Sequence, residues 1–189
     1  MIITLSGLAG SGKSTTAKYL AKKLSLKHYS TGDFMRAIAN ERGVSILELN
    51  KLSETDKSID NELDQRQILL GKNEDTFIID GRLSFHFIPR SLKIFLTADP
   101  LLRAQRIFRD QRATEKNVTL EDTMKHMLAR QQSEKKRYMA LYHVDYLNEK
   151  NYDLVIDTTG LTIEQTGDAI IRYVQQSSIS KRKKNNTFK

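Results

Sequence analysis

The sequence predicts a three-layer α/β domain built on a five-stranded parallel sheet. Three observations carry this. Short apolar runs alternate with helical patterns along the chain, a glycine loop stands between the first run and the first helix, and one polar helical stretch interrupts the alternation. Strands separated by helices join through right-handed crossovers, which place a parallel sheet between two layers of helix.

The elements follow in order. Residues 1–5 (Met-Ile-Ile-Thr-Leu) form a buried-strand run that ends in glycines. Ala17, Leu20, Ala21 and Leu24 recur at i, i+3, i+4 and i+7, an apolar stripe on a helix that starts near Lys13. Residues 27–30 read as a short second strand. Ser45-Ile46-Leu47-Glu48 has the capping-box form and opens a charged helical stretch to about Gly71, with a break expected near 57–60. Residues 76–80 and 92–96 are two further strands. Asp99-Pro100 supplies a helix cap followed by proline at the first helical position, opening a helix through Arg112. A long helix is expected from Thr119 to about Leu141, a fifth strand over 152–157, and a last helix capped by Thr162 and Gln165.

The 189 residues suffice for one domain with a sizeable core, assigned here to 1–180. Hydrophobic residues at 39% and charged residues at 29% exclude a disordered chain. No apolar run approaches the ~20 residues of a membrane-spanning helix, and Met1-Ile2-Ile3 carries no basic leader, so no signal peptide is expected. Without cysteine there is neither disulfide nor thiolate metal site, and a reducing cytoplasm is the expected compartment. Five of the eight net positive charges lie in the last nine residues, 181–189. This basic tail would suit nucleic acid or an anionic surface, but a frayed, solvated end is the favoured expectation.

Gly7-Leu8-Ala9-Gly10-Ser11-Gly12-Lys13-Ser14, followed by Thr15, fits G-x-x-x-x-G-K-[ST]. Glycines let the backbone curl so that N–H groups converge on phosphate oxygens, and the helix that follows adds the positive end of its dipole. Lys13 is placed to reach β- and γ-phosphates, and Ser14 to ligate Mg²⁺. The string lies after a strand and before an amphipathic helix, the context in which a phosphate loop works. Asp80 ends the third apolar run, where a carboxylate beside such a loop helps hold the metal. The expected cofactors are therefore ATP and Mg²⁺.

Three further segments carry a family resemblance. Ser30-Thr31-Gly32-Asp33-Phe34-Met35-Arg36 is similar to the start of the acceptor-binding segment of nucleoside monophosphate kinases. Asp80-Gly81-Arg82 resembles the D-G-R of cytidylate kinases rather than the D-G-F-P-R of adenylate kinases. Arg130, Glu134, Arg137 and Tyr138 resemble the acceptor-contacting helix of archaeal-type cytidylate kinases, which also share Leu83 where bacterial members have an acid. The resemblance implies a P-loop NTPase fold with a helical acceptor lobe over 31–72 and a short lid over 106–119. It implies Arg36, Arg82 and Arg137 on the acceptor phosphate, Thr31 as a nearby hydroxyl donor, and Arg130 and Glu134 near the ribose. Arg66 and Gln67 are the expected base pocket. Arg103, Arg106, Arg109 and Arg112 lead into the polar stretch 113–118 of this lid; which of the four reach ATP phosphate is left open by their shared stripe, with Arg109 assigned a catalytic role.

The chemistry agrees with an arginine-rich site. An acceptor phosphate is largely dianionic at pH 7 and needs no strong base. The obstacle is repulsion between two phosphate groups, and cations are the remedy. Arginine's planar fork matches phosphate oxygens where lysine offers a point charge. The expected activity is ATP-dependent phosphorylation of CMP or dCMP by a monomer. Adenylate kinase, another small-molecule P-loop kinase using Asp33 as base, and a nucleotide-binding RNA-associated module remain alternatives.

Overall fold

The computed structural model describes residues 1–53, 55–110 and 119–186. Its centre is a five-stranded sheet in the order β2-β3-β1-β4-β5, with every pairing parallel. The strands are β1 (Ile2–Gly7), β2 (Lys27–Ser30), β3 (Phe77–Asp80), β4 (Leu92–Thr97) and β5 (Leu154–Asp157). Side chains on a strand alternate between faces, so Ile3 and Leu5 join one core while Ile2 joins another.

The first core lies under α1 (Lys13–Leu24) and α8 (Ile163–Asn186), where Ala17, Leu20 and Ile170 meet Ile78, Ile94 and Leu96. On the opposite face, Leu83, Phe85, Phe95 and Tyr146 form an aromatic cluster that also receives Leu8 of the glycine loop. This second cluster ties α5 (Ser84–Phe87) and the end of α7 (Leu120–Tyr142) to the sheet. Helix α6 (Pro100–Asp110) packs on α7.

The helical insertion between β2 and β3 has its own small core. Ile38 and Ala39 of α2 (Thr31–Glu41), Leu49 of α3 (Ile46–Leu52) and Ile59 of α4 (Lys57–Asn73) are all buried together. Charged pairs close its outer side, with Arg42 bonded to Glu62 at 2.9 Å and Arg66 to Glu41 and Glu62. The Ser45–Glu48 capping box is present, and α4 already starts at Lys57, so the break expected near 57–60 falls earlier, because Asp56 caps α4 through the Ser58 N–H at 2.8 Å. Helix α2 had no separate signal in the apolar pattern, since only Ile38 and Ala39 of its eleven residues are buried.

One expectation about a strand boundary changes. The fifth strand is shorter than 152–157, because Tyr152 packs against Phe85 and Phe95 instead of pairing in the sheet. The backbone of α8 continues to Asn186. Lysine and arginine are good helix formers and suit a helix C-terminus electrostatically, so a basic run can prolong a helix without burying apolar surface.

Candidate active site

The strands' C-terminal ends carry the site, as expected for an open parallel sheet whose order reverses beside β1. Gly10 adopts φ 78, and a Cβ there would stand 2.5 Å from the carbonyl oxygen of Arg103. Glycine is required on both counts, by left-handed backbone and by the close approach of α6. The loop's carbonyls are bonded from outside. Arg106 Nη1 donates to Gly10 O at 3.3 Å, and the Thr158 hydroxyl donates to Ser11 O at 3.1 Å. Arg106 also reaches Thr158 Oγ1 at 3.1 Å and Thr158 O at 3.0 Å. With the carbonyls held outward, the N–H groups of the first turn of α1, which have no acceptor within the helix, face the position of a bound anion.

Asp80 is the hub below the loop. It is 2% exposed, accepts from Ser14 Oγ at 2.8 Å and from Ser30 Oγ at 3.3 Å, and stands 3.6 Å from Lys13 Nζ. His28 Nε2 lies 2.7 Å from its other oxygen. Burial pushes this carboxyl up. The His28 hydrogen bond, the Lys13 charge and the Ser14 hydroxyl outweigh it and hold Asp80 below the usual carboxylate range. His28 is a site residue that periodicity could not find, because only the register of β2 beside β3 sets it against Asp80.

Gly81 is needed for packing. A Cβ there would collide with Thr31 and with Ser84 Oγ, so the chain ends of β2 and β3 close on one another only with glycine at this point. Thr31 is thereby fixed at the rim. Arg36 lies beyond it, exposed and paired with Asp33. Asp33 is thus engaged by a cation, and no residue of the described site approaches it as a partner for base chemistry.

Arg82 points into the aromatic cluster. Its Nε lies 2.5 Å from Glu134 Oε2, although the N–H is not aligned as a hydrogen bond. Arg130 Nε donates to the other Glu134 oxygen at 3.0 Å, and the Tyr146 hydroxyl stands 3.5 Å from Oε2. Burial alone would lower the Arg82 pKa, and the Glu134 charge reverses that. The structure turns Glu134 inward as a partner of two arginines. The physical reason is burial: a carboxylate 8% exposed requires counter-cations, and Arg82 and Arg130 are within reach.

Arg137 shares the same helix face and faces Asp60 of α4 at 4.0 Å, with its guanidinium over the Tyr138 ring at 5.4 Å. Arg66 does not join Asp60 opposite Arg137, since Glu41 and Glu62 hold it in the seam between α2 and α4. Gln67 does face inward and accepts from the Ser84 hydroxyl at 2.8 Å. Of the lid arginines, Arg103 is 3% exposed and donates to Gln131 at 3.2 Å, Arg106 braces the loop, and Arg109 is exposed at the end of α6. Arg112 and residues 111–118 of the expected lid (106–119) lie outside the described residues.

A phosphate loop at the end of this sheet, with Asp80 as an acidic hub beside Lys13 and Ser14, defines a P-loop kinase. Solved structures agree on the fold: shikimate kinase from Bacteroides thetaiotaomicron matches with a TM-score of 0.68 at 15% identity, covering 93% of this chain and 98% of that one. Shikimate kinase from Acinetobacter baumannii, in complex with shikimate, matches with a TM-score of 0.60 at 14% identity, over 93% of each chain. The model described as cytidylate kinase-like family matches residues 2–160, and the chain belongs to that family. It is a nucleoside monophosphate kinase.

Relatives named cytidylate kinase include one from Methanobrevibacter smithii, 39% identical over 90% of this chain and 96% of its own. Another, from Methanosphaera stadtmanae, is 37% identical over 93% of this chain and 98% of its own. A protein from Lacinutrix mariniflava named S-adenosylmethionine-dependent nucleotide dehydratase is 36% identical over 93% of this chain, which spans 36% of that longer protein.

Proposed function

We propose that this kinase transfers the γ-phosphoryl group of ATP, with Mg²⁺, to CMP or dCMP. The observation that carries the proposal is the set of cations around the end of β3: Lys13 beside Asp80 at the phosphate loop, Arg82 directly after Asp80-Gly81 and joined through Glu134 to Arg130, and Arg137 on the same helix as Arg130. A terminal oxygen of the acceptor phosphate attacks the γ-phosphorus, the bond from that phosphorus to the β-bridging oxygen breaks, and ADP leaves. The dianionic acceptor has no proton to lose, so the site needs charge rather than a base.

Ser14 Oγ and Asp80 Oδ2, 2.8 Å apart, suit Mg²⁺, which takes one or two protein oxygens and completes its shell with water and nucleotide phosphates. Bound there, the ion would neutralise charge on the β- and γ-phosphates. Cytosine as the base is supported by Arg82 directly after Asp80-Gly81, by Leu83, and by the names of the relatives. Arg66 and Arg36 are retained as acceptor contacts only if their carboxylate partners release them. ATP with each of CMP, dCMP, UMP, AMP and GMP, monitored by ADP release, tests the proposal. AMP as the best acceptor would replace it with adenylate kinase, and no turnover with any acceptor would favour a nucleotide-binding module.

Arg137→Ala is expected to lower kcat with CMP by at least the factor by which it raises KM, roughly 10-fold or more, because the charge it meets grows in the transition state. Steady-state kinetics check this, and unchanged constants would leave Arg137 as a surface partner of Asp60. Removal of residues 181–189 is expected to leave kcat/KM within about twofold, since screening limits charges that do not touch the site to ~8 Å at physiological salt. Any affinity for RNA or anionic vesicles should fall on the same truncation and should be salt-dependent beforehand. A tenfold loss of kcat/KM would place the tail over the cleft.

A further inference from the structure

Where α4 faces α7, through Asp60 to Arg137 and Asp64 to Tyr142, it presents a polar face that phosphate chemistry does not use. Asp60, Asp64 and Gln67 fall at i, i+4 and i+7, on one face of α4. Asp64 is 9% exposed and Gln67 2%. A carboxylate has room for about four donors and is seldom buried without a cation or several of them. Among the described residues Asp64 has one hydrogen bond, from the Tyr142 hydroxyl at 2.7 Å. The nearby cation, Arg137, turns to Asp60 instead. Burial pushes the Asp64 carboxyl up to about 6, against the Tyr142 hydrogen bond. The fold thus leaves this group short of donors while fixing its direction. Tyr142 is wedged by the rings of Phe87 at 5.4 Å, His86 at 5.9 Å and Tyr138 at 6.3 Å. Gln67, bonded to Ser84, ties the same face to the strand end that bears Arg82.

We infer that Asp64, oriented by Tyr142, reads the acceptor base by accepting hydrogen bonds from its exocyclic amino group. The inference rests on the nucleoside monophosphate reading and names its specificity residue. The acceptor phosphate belongs at Arg82 and Arg137, and the base then extends along this face of α4. Cytosine and adenine offer an amino group there, whereas uracil offers a carbonyl oxygen. An amino group supplies the donor that Asp64 lacks. A carbonyl would set two acceptors against each other and leave both unpaired, which is the arrangement that gives polar sites their largest discrimination.

The test is kcat/KM of the full chain for CMP, AMP and UMP, in wild type, Asp64→Asn and Tyr142→Phe. Asparagine keeps the shape but can offer its amide N–H to a carbonyl. Asp64→Asn should lower kcat/KM for the amino bases about 10- to 100-fold with UMP unchanged or improved, so that the amino-to-oxo ratio falls at least about tenfold. Tyr142→Phe, which removes only the orienting hydroxyl, should move the same ratio the same way by about threefold. Equal losses on all three acceptors, or an unchanged ratio in a folded Asp64→Asn protein, would overturn the inference. Should Asp64→Asn not fold, an unchanged ratio in Tyr142→Phe overturns it. A wild type that prefers AMP to CMP would remove the cytosine assignment yet leave Asp64 to be judged by the amino-to-oxo ratio. A wild type indifferent between CMP and UMP would overturn the role of Asp64 itself.

Discussion

Lys13→Ala is expected to lower kcat by about 10³-fold or more, the loss that follows removal of a cation from the transferring phosphoryl group. Lys13 Nζ is drawn toward the loop by Asp80 at 3.6 Å and is 16% exposed, so its ammonium is largely desolvated and acts at short range. Low local dielectric strengthens such a contact well beyond its value in water. Asp80 would retain Ser14, Ser30 and His28 as partners. The fold should therefore survive, and thermal denaturation within a few degrees of wild type would separate lost chemistry from lost structure. Retention of more than a tenth of wild-type kcat would remove Lys13 from the reaction.

Glu134→Ala is expected to show the largest effect on stability, about 3–5 kcal/mol, because it strands the buried Arg82 guanidinium without its counter-charge. For a chain of this length that corresponds to a fall in Tm of about 6–20 °C. Glu134 is 8% exposed and gathers Arg82, Arg130 and Tyr146, so no water replaces it easily. Turnover should fall as well, since Arg82 would swing toward other acceptors. Glu134 is a positioning residue in this account. Its kinetic signature is a drop in kcat larger than any change in KM for ATP, together with partial recovery in Glu134→Asp. A Tm within about 2 °C of wild type would show the cluster to be open to solvent and its charges screened.

Much of the molecule could be read along the chain because local rules govern it. The strand after which the glycine loop turns, the helix that starts at Lys13, the Ser45–Glu48 box and the Asp99-Pro100 start all depend on neighbours within a few residues. Ser14 beside Asp80 was legible for the same reason, since loop and strand end each carry their own signature and the fold class brings them together. Tyr152 was misjudged because its apolar neighbours continue the strand pattern, while its ring is claimed by Phe85 and Phe95 from elsewhere in the chain.

By itself, then, the sequence determined the parallel α/β architecture, the phosphate loop and the shared charged face of α7, all of which follow from short-range spacing. Only the tertiary structure decided how those charges are used. Arg130, Glu134 and Arg137 share one helix face at i, i+4 and i+7, yet Glu134 turns inward to Arg82 while Arg137 looks across to Asp60. Periodicity likewise places Arg66 and Asp64 on one helix without saying which faces α7. Carboxylates 25 and 4 residues away hold Arg66 in the seam, and a tyrosine 78 residues away claims Asp64. Partner choice among charged side chains depends on which opposite charge lies within a few ångströms after folding and on how much water is excluded there, and neither quantity is written in local spacing.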